Sequence, residues 1–310
     1  VAVFSFSDLN RRLVGTDFLS GERVFSFFCP VFWQKLAVPS APHVDSPCAL
    51  PCRLQRPRRL NSNNEDVTSF GPIANHYDLL MSAVPYRMWA EYLKLLHEIQ
   101  KVQPHHLLDA CCGTGTVAEL LTADGYQVTG FDLSEKMIQV AKVKANGKNL
   151  NIDYHVADAT ALVLPGKYDG AYSFFDSFNY ITDLEGFRQA IQGCANHLKP
   201  GGSLIFDLNT AYAFEANLFT QKELHKKASI KYDWVGSYDK ESRQIEVKMD
   251  FWRDGEHFQE VHKQRAHSDE EVRQALADAG FEEILAFDSY SLGKPRKKSD
   301  RIHYAALMGG

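Results

Sequence analysis

The stretch LLDACCGTGT, residues 107–116, decides the fold. An apolar run ends on Asp109, a turn carrying Gly113 and Gly115 follows, and an amphipathic segment, TVAELLTADG, begins at once. This is a strand, a tight turn and a helix. Glycine accepts the left-handed backbone of such turns, and a helix start leaves amides unpaired, so the loop is suited to close approach by a ligand. No Gly-Lys-Ser/Thr follows, which disfavours the phosphate loop of a nucleoside triphosphatase. Cys111 and Cys112 sit between strand and turn, a place suited to packing.

Working outward, YQVTGF reads as the second strand and SEKMIQVAKVKANG as its helix. NIDYHV is the third strand and YDGAYSFF the fourth. The helix ITDLEGFRQAIQGCANHL is expected to start with a capping box between Thr182 and Glu185. Pro200-Gly201-Gly202 then turns the chain into a fifth strand, SLIFDL. On the N-terminal side, Val84–Ile99 has Trp89, Tyr92, Leu93 and Leu96 at helical spacing. Strands alternating with helices imply a mostly parallel, doubly wound α/β sheet. Ligands bind such sheets at the carboxyl ends of the strands.

After Asn209 the texture changes. Residues 229–239, 243–253 and 257–265 alternate between polar and apolar with short polar turns between them, an antiparallel meander inserted into the sheet domain. Ser268 and Glu271 form a second capping box, and FEEILAF and RIHYAAL supply two final strands, read as a hairpin at the sheet edge. Residues 1–66 differ from the rest. They are read as an irregular or disordered leader, rich in Pro, Ser and Asn from Pro39 to Glu65, ahead of a domain over 67–310 that contains the insert at 210–266.

Composition narrows the function. The chain has 310 residues and a net charge of -5. Residues 1–64 carry eight Lys or Arg against four Asp or Glu, so the main domain is the acidic part. Nucleic acid is therefore not expected as a partner, because phosphate neutralisation usually dominates that affinity. Six cysteines without matching Cys/His pairs suggest neither a disulfide framework nor a metal site. No run of 18 apolar residues is present, so no membrane span is expected and a reducing, cytoplasmic location fits best. A monomer or a homodimer is expected.

Two further strand ends carry chemistry. Asp132, in GFDLSEKM, can accept both hydroxyls of a ribose, as a cofactor with either nicotinamide or S-adenosylmethionine would require; it can instead cap the next helix. Asp158, in HVADAT, can receive an exocyclic adenine amine while the Ala159 amide faces a ring nitrogen; the bland alternative is a loop aspartate facing solvent.

Taken in order, LLDACCGTGT, GFDLSEKM, ADAT, YDGAYSFFDSFNY and LKPGGSLIFDL resemble the class I S-adenosylmethionine-dependent methyltransferases over roughly residues 68–308, most of all their bacterial small-molecule branch. The resemblance implies a Rossmann-like seven-stranded sheet flanked by helices, with an inserted antiparallel lid sheet. It implies S-adenosyl-L-methionine as cofactor and a small-molecule methyl acceptor. Asp109, Gly113 and Gly115 would hold the cofactor's amino-acid end, Asp132 its ribose, and Asp158 and Ala159 its adenine, with Leu133 and Met137 beside the adenosine. Phe174 and Phe175 would border the sulfonium and the acceptor opening, and Tyr77 and Trp89 would close over the methionine end. Cys111 departs from the pattern, standing where the loop's first glycine is usual.

A sulfonium methyl is already activated, so alignment of a nucleophile accounts for much of the catalysis and no triad is required. Asp176, Asn179, Tyr180 and Asn209 are candidates to orient the acceptor, and Tyr232 and Trp234 to line a lid pocket. Alternation sets Glu260, His262 and Gln264 on one strand face and Arg265 on the other. His262 is the preferred general base, with Asp176 and Tyr180 beside it as catalytic candidates, and Arg265 is a candidate for recognising a carboxylate. The competing functions are a cofactor-binding regulatory protein without catalysis and a nucleotide-dependent oxidoreductase.

Overall fold

The computed structural model describes residues 70–226 and 228–310. The leader at 1–66, including Cys29, Cys48 and Cys52, lies outside the described residues.

The sheet is built on β1 (His106–Ala110), whose residues from Leu107 on are buried, as a central parallel strand covered on both faces requires. With β2 (Gln127–Asp132), β3 (Asp153–Val156), β4 (Tyr168–Ser173) and β5 (Leu198–Asn209) it forms a parallel array. The hairpin of β10 (Phe281–Asp288) and β11 (Arg301–Met308) joins antiparallel beside β5. The seven-stranded order is β10-β11-β5-β4-β1-β2-β3, which reverses direction of growth at β1 and β4. A separate antiparallel sheet follows the order β6-β7-β8-β9, with β6 at Gln221–Glu223, β7 at Lys231–Asp239, β8 at Gln244–Arg253 and β9 at Glu256–Arg265.

Of the helices, α1 (Tyr77–Leu80) is one turn and α2 (Tyr86–Gln100) buries Trp89, Tyr92, Leu93 and Leu96 as its spacing predicts. Next come α3 (Thr116–Ala123) after Gly115 and α4 (Glu135–Gly147), whose first amides are met by the Ser134 hydroxyl accepting from Met137 N. α5 spans Leu184–Asn196, α6 Ala211–Glu215 and α7 Asp269–Asp278. The capping box at Ser268 and Glu271 is present. The one expected at Thr182 is not, because Asp183 lies one residue closer to the helix and its carboxylate takes Gly186 N at 2.6 Å. The insert also holds a fourth strand, β6, too short for alternation to reveal. Residues 200–202 are no turn before β5. They lie inside the strand, as an irregularity in its pairing with β4.

Two apolar layers sandwich the sheet. One lies under α5 and α7 around Phe178, Phe187, Phe206 and Tyr304, and the other under α2, α3 and α4 around Leu93, Leu107, Ile138 and Ala305. A third cluster joins Ile73, Leu80 and Met81 from the N-terminal segment to Ile230, Tyr232 and Phe251 of the inserted sheet. That cluster seats the insert over the carboxyl ends of the strands.

Candidate active site

A cavity of about 1080 Å³ opens at those strand ends, between the parallel sheet and the insert. Its floor starts with the turn after β1. Cys111, Gly113 and Gly115 all have left-handed backbone, with φ of 58°, 55° and 76°. Gly115 is fixed doubly, since a Cβ there would stand 2.1 Å from the Tyr154 hydroxyl. At Gly113 only the backbone angle demands glycine, because the space beside it is open. Cys111 bears that conformation with a side chain packed against the core.

Asp132 ends β2 and is tied to this turn: one carboxylate oxygen accepts Gly113 N at 2.9 Å and the other Ser134 N at 2.8 Å. Burial pushes its pKa up while those amides pull it down. Asp109 stands one residue before the end of β1 with only 4% exposure, and burial raises its carboxyl to about 8. Among the described residues no cationic side chain pairs with it. Asp158 caps the short turn Ala159–Ala161, accepting Thr160 N at 2.8 Å. Leu133, 70% exposed, lies on the cavity rim beside Asp132.

The wall after β4 is strained and braced. Phe175 and Asp176 are consecutive non-glycine residues with φ of 68° and 51°, each of which costs on the order of 1–3 kcal/mol. The Asp207 carboxylate, from β5, holds both, accepting Phe175 N at 2.7 Å and Asp176 N at 3.0 Å. Arg301 at the start of β11 bridges Asp207 and Asp176, and Gln264 of β9 donates to Asp176 at 2.6 Å. All four side chains are buried.

The roof comes from the N-terminal segment and the insert. Glu260, His262 and Gln264 form the buried face of β9, at 1%, 3% and 2% exposure. His262 Nδ1 lies 2.8 Å from the Tyr180 hydroxyl, and its Nε2 lies 2.7 Å from a Glu260 oxygen. Phe70 packs over this pair, 4.6 Å from the His262 ring and 5.3 Å from Tyr180. Asp78 of α1 fastens the segment to the glycine turn through the Thr114 hydroxyl at 2.5 Å and Lys144 at 2.6 Å.

The cavity thus gathers Tyr77, Trp89, Asp109, Cys111, Gly113, Asp132, Leu133, Met137, Asp158, Ala159, Phe174, Phe175, Asp176, Tyr180, Trp234 and His262. Gly115, Asn179, Asn209, Tyr232 and Arg265 are not on its wall. Arg265 points the other way along β9 and is spent on Glu271 at 2.8 Å, which, with the Ser268 amide and Arg243, holds that carboxylate down at about 2. Asn179 acts inside the protein, its amide bridging the Asn209 and Arg265 carbonyls. Tyr232 packs in the cluster beneath the insert. Arg301 and Asp207 were not singled out from the sequence, and Gln264 and Glu260 were placed on the His262 face of their strand without a role. For the last two a signal existed: polar residues at period two on a strand face that the sheet has to bury.

Residues 107–202 match the family model described as a methyltransferase domain. A crystal structure of an S-adenosylmethionine-dependent methyltransferase from Clostridium acetobutylicum ATCC 824 is 28% identical, covers 78% of this chain and all of its own, and superposes with a TM-score of 0.69. A Geobacillus sp. (strain WCH70) protein that carries the methyltransferase name is 28% identical over 248 residues, 77% of this chain and 99% of its own length. The sugar N-methyltransferase KedS8 from Streptoalloteichus sp. ATCC 53650, at 20% identity and a TM-score of 0.64, shares the fold over 82% of this chain and 99% of its own.

Proposed function

Because the chain belongs to the class I S-adenosylmethionine-dependent methyltransferases, we propose that it transfers the methyl group to a nitrogen, oxygen or activated carbon of a small molecule held beneath the inserted sheet. The observation that carries the reading is the continuity of the cavity: one chamber runs from the glycine turn and Asp132 to His262 and Trp234 under the insert. The insert, residues 210–266 of a domain taken as 67–310, serves in this reading as the lid.

The residues present fit the cofactor. A buried carboxyl at Asp109, lacking a cationic partner among the described residues and raised to about 8 by burial, suits a ligand ammonium. Trp89 Nε1, buried without a hydrogen-bond partner, offers a donor on the same cavity wall. Asp109, the turn at 111–115 and Trp89 would hold the amino-acid end, Asp132 the ribose, and Leu133, Met137, Asp158 and Ala159 the adenosine, with Tyr77 and Phe174 closing over the reacting end. When bound, S-adenosylmethionine supplies a methyl carbon on a positively charged sulfur.

The protein's part is placement. Phe175 and Trp234 form apolar walls for the acceptor, and the Asp207–Arg301 brace keeps the turn at Asp176 rigid, so that orientation is fixed before reaction. A chamber walled by Phe175, Met249, Phe251 and Trp234, with Asp176, Tyr180 and His262 among them as polar groups, suits a small metabolite better than a polymer.

The test is transfer of radioactive methyl from S-adenosylmethionine into a fractionated metabolite pool, with products identified by mass spectrometry. A labelled small molecule, lost with Asp132→Ala, is the expected result. Saturable cofactor binding with no labelled product would instead favour a regulatory binding protein, and label only in macromolecules would move the acceptor out of the small-molecule class.

A further inference from the structure

Glu260 has no place in the cofactor site, yet its side chain is fully buried and satisfies three donors. One oxygen accepts Ile73 N at 2.9 Å; the other accepts Phe70 N at 3.1 Å and lies 2.7 Å from His262 Nε2. A carboxyl that takes two backbone amides on separate oxygens is acting as an acceptor at both. His262 Nε2 therefore carries its hydrogen and donates it. In the neutral ring that fixes the tautomer: Nδ1 keeps its lone pair and accepts from the Tyr180 hydroxyl at 2.8 Å.

The consequence concerns which atom meets the acceptor. The basic nitrogen of His262 is already occupied, and Tyr180 stands beyond it, half-buried on the cavity wall. We propose, resting on the methyl-transfer reading above, that Glu260, His262 and Tyr180 form a proton relay for an acceptor whose nucleophilic hydroxyl or amine must lose a proton, and that Glu260 also fastens the Phe70–Ile73 strap roofing the relay. Tyr180 is then the catalytic residue, and His262 and Glu260 act through it.

The balance is complete without another reactant. The acceptor atom bonds to the methyl carbon as the carbon–sulfur bond breaks, and that electron pair stays on sulfur. The acceptor's proton passes to the Tyr180 oxygen while Tyr180 gives its own to His262 Nδ1. The imidazolium so formed faces the Glu260 carboxylate and returns its proton to water through Tyr180 once the product leaves. Burial and the nearby Asp176 carboxylate keep the Tyr180 phenol well above its usual pKa, so it works as a neutral hydroxyl and never as a standing phenolate. Because the same carboxylate holds the strap amides, the relay is aligned only while the strap is docked.

The full chain, saturated with S-adenosylhomocysteine and labelled with ¹⁵N in its imidazole rings, tests this by NMR. His262 should show a protonated Nε2 and a hydrogen-bonded, unprotonated Nδ1. Tyr180→Phe should move the Nδ1 resonance toward that of an unbonded nitrogen. Glu260→Gln should mix the tautomers and speed amide exchange at Phe70 and Ile73 at least tenfold. A proton on Nδ1 in the unaltered protein, or no movement in Tyr180→Phe, overturns the relay. In the methyl-transfer assay both variants should lose about tenfold or more in rate with S-adenosylhomocysteine affinity within twofold; undiminished transfer also overturns it. Failure of the unaltered protein to label any small molecule would count against the proposed function, while the NMR result decides separately whether the relay is assembled.

Discussion

The two halves of the cavity are built by different means. The floor, which takes the cofactor in the reading above, is made from short contiguous segments: 109–115, 132–137 and 157–159 each turn one strand end into one binding surface. The roof, assigned to the acceptor, is made from contacts between distant parts of the chain. Glu260 reaches Phe70 across 190 residues, Gln264 reaches Asp176 across 88, and His262 reaches Tyr180 across 82. Strand-end turns are set by residues next to one another in the chain. Roof contacts depend on how the insert docks, so they can differ between proteins that share the floor.

The sharpest way to break this contrast is at the joint between the halves. Arg301→Met removes the only cation that the described residues place between Asp176 and Asp207, leaving two buried carboxylates facing each other. Loss of one partner from a buried ion pair costs about 3–5 kcal/mol, which urea unfolding should reveal, with cofactor and acceptor functions lost together. A loss below about 1 kcal/mol would mean that the halves are held independently.

Asp132→Ala should act on the floor alone. Removing a charged acceptor of two amides, and the proposed ribose partner, should weaken S-adenosylhomocysteine binding by roughly tenfold to a hundredfold, the equivalent of about 1.5–3 kcal/mol. Calorimetry measures it, and His262 resonances should stay in place. Movement there would show the roof responding to the floor.

A gentler probe is pH. The Asp109 carboxyl, raised by burial to about 8, holds a proton in the free protein below that value. A cationic ligand binds the ionised form, so binding releases that proton, and affinity should rise as pH rises from about 6 to about 8 and then stop rising. The slope is at most one decade per pH unit, about 1.4 kcal/mol. Calorimetry in buffers of different ionisation enthalpy counts the proton, and Asp109→Asn should flatten the profile.

The smallest effect is expected at Cys111. Replacement by glycine relieves a left-handed conformation that costs a side-chain-bearing residue about 1–2 kcal/mol, but gives back about 0.5–1 kcal/mol in backbone freedom and loses the packed thiol. A net change within about 1 kcal/mol in thermal or urea unfolding is expected, with the Gly113–Asp132 bond unaltered.

The same contrast accounts for what was legible in the sequence. Asp109 and Asp132 could be placed on the cavity because each stands at the end of a strand whose apolar pattern is visible, and Gly113 and Asp158 because each lies in the turn just beyond such an end, where the chemistry depends on neighbouring residues. Alternation in β9 correctly grouped Glu260 with His262 and Gln264, yet nothing in it indicated that Phe70 would cover them. Arg265 looked like an anion-binding residue until Glu271, six positions on, claimed its guanidinium. Thr182 and Asp183 are adjacent and equally able to cap, so only the position at which the backbone turns helical separates them. Arg301 carried no local mark, because its partners arrive from β5 and from the turn after β4.

The bond network of Asn179 has a consequence for how this molecule can vary. Its side-chain nitrogen reaches the carbonyl of Asn209, where the chain leaves β5, at 3.0 Å, and that of Arg265, where β9 ends, at 2.8 Å. The insert therefore departs and returns at one anchorage, like a drawer on a single rail. A replacement of different length or sequence, provided that its ends meet Asn179 in the same way, leaves the strand order of the larger sheet untouched, and in the proposed reading a change in what is methylated needs no redesign of what donates the methyl.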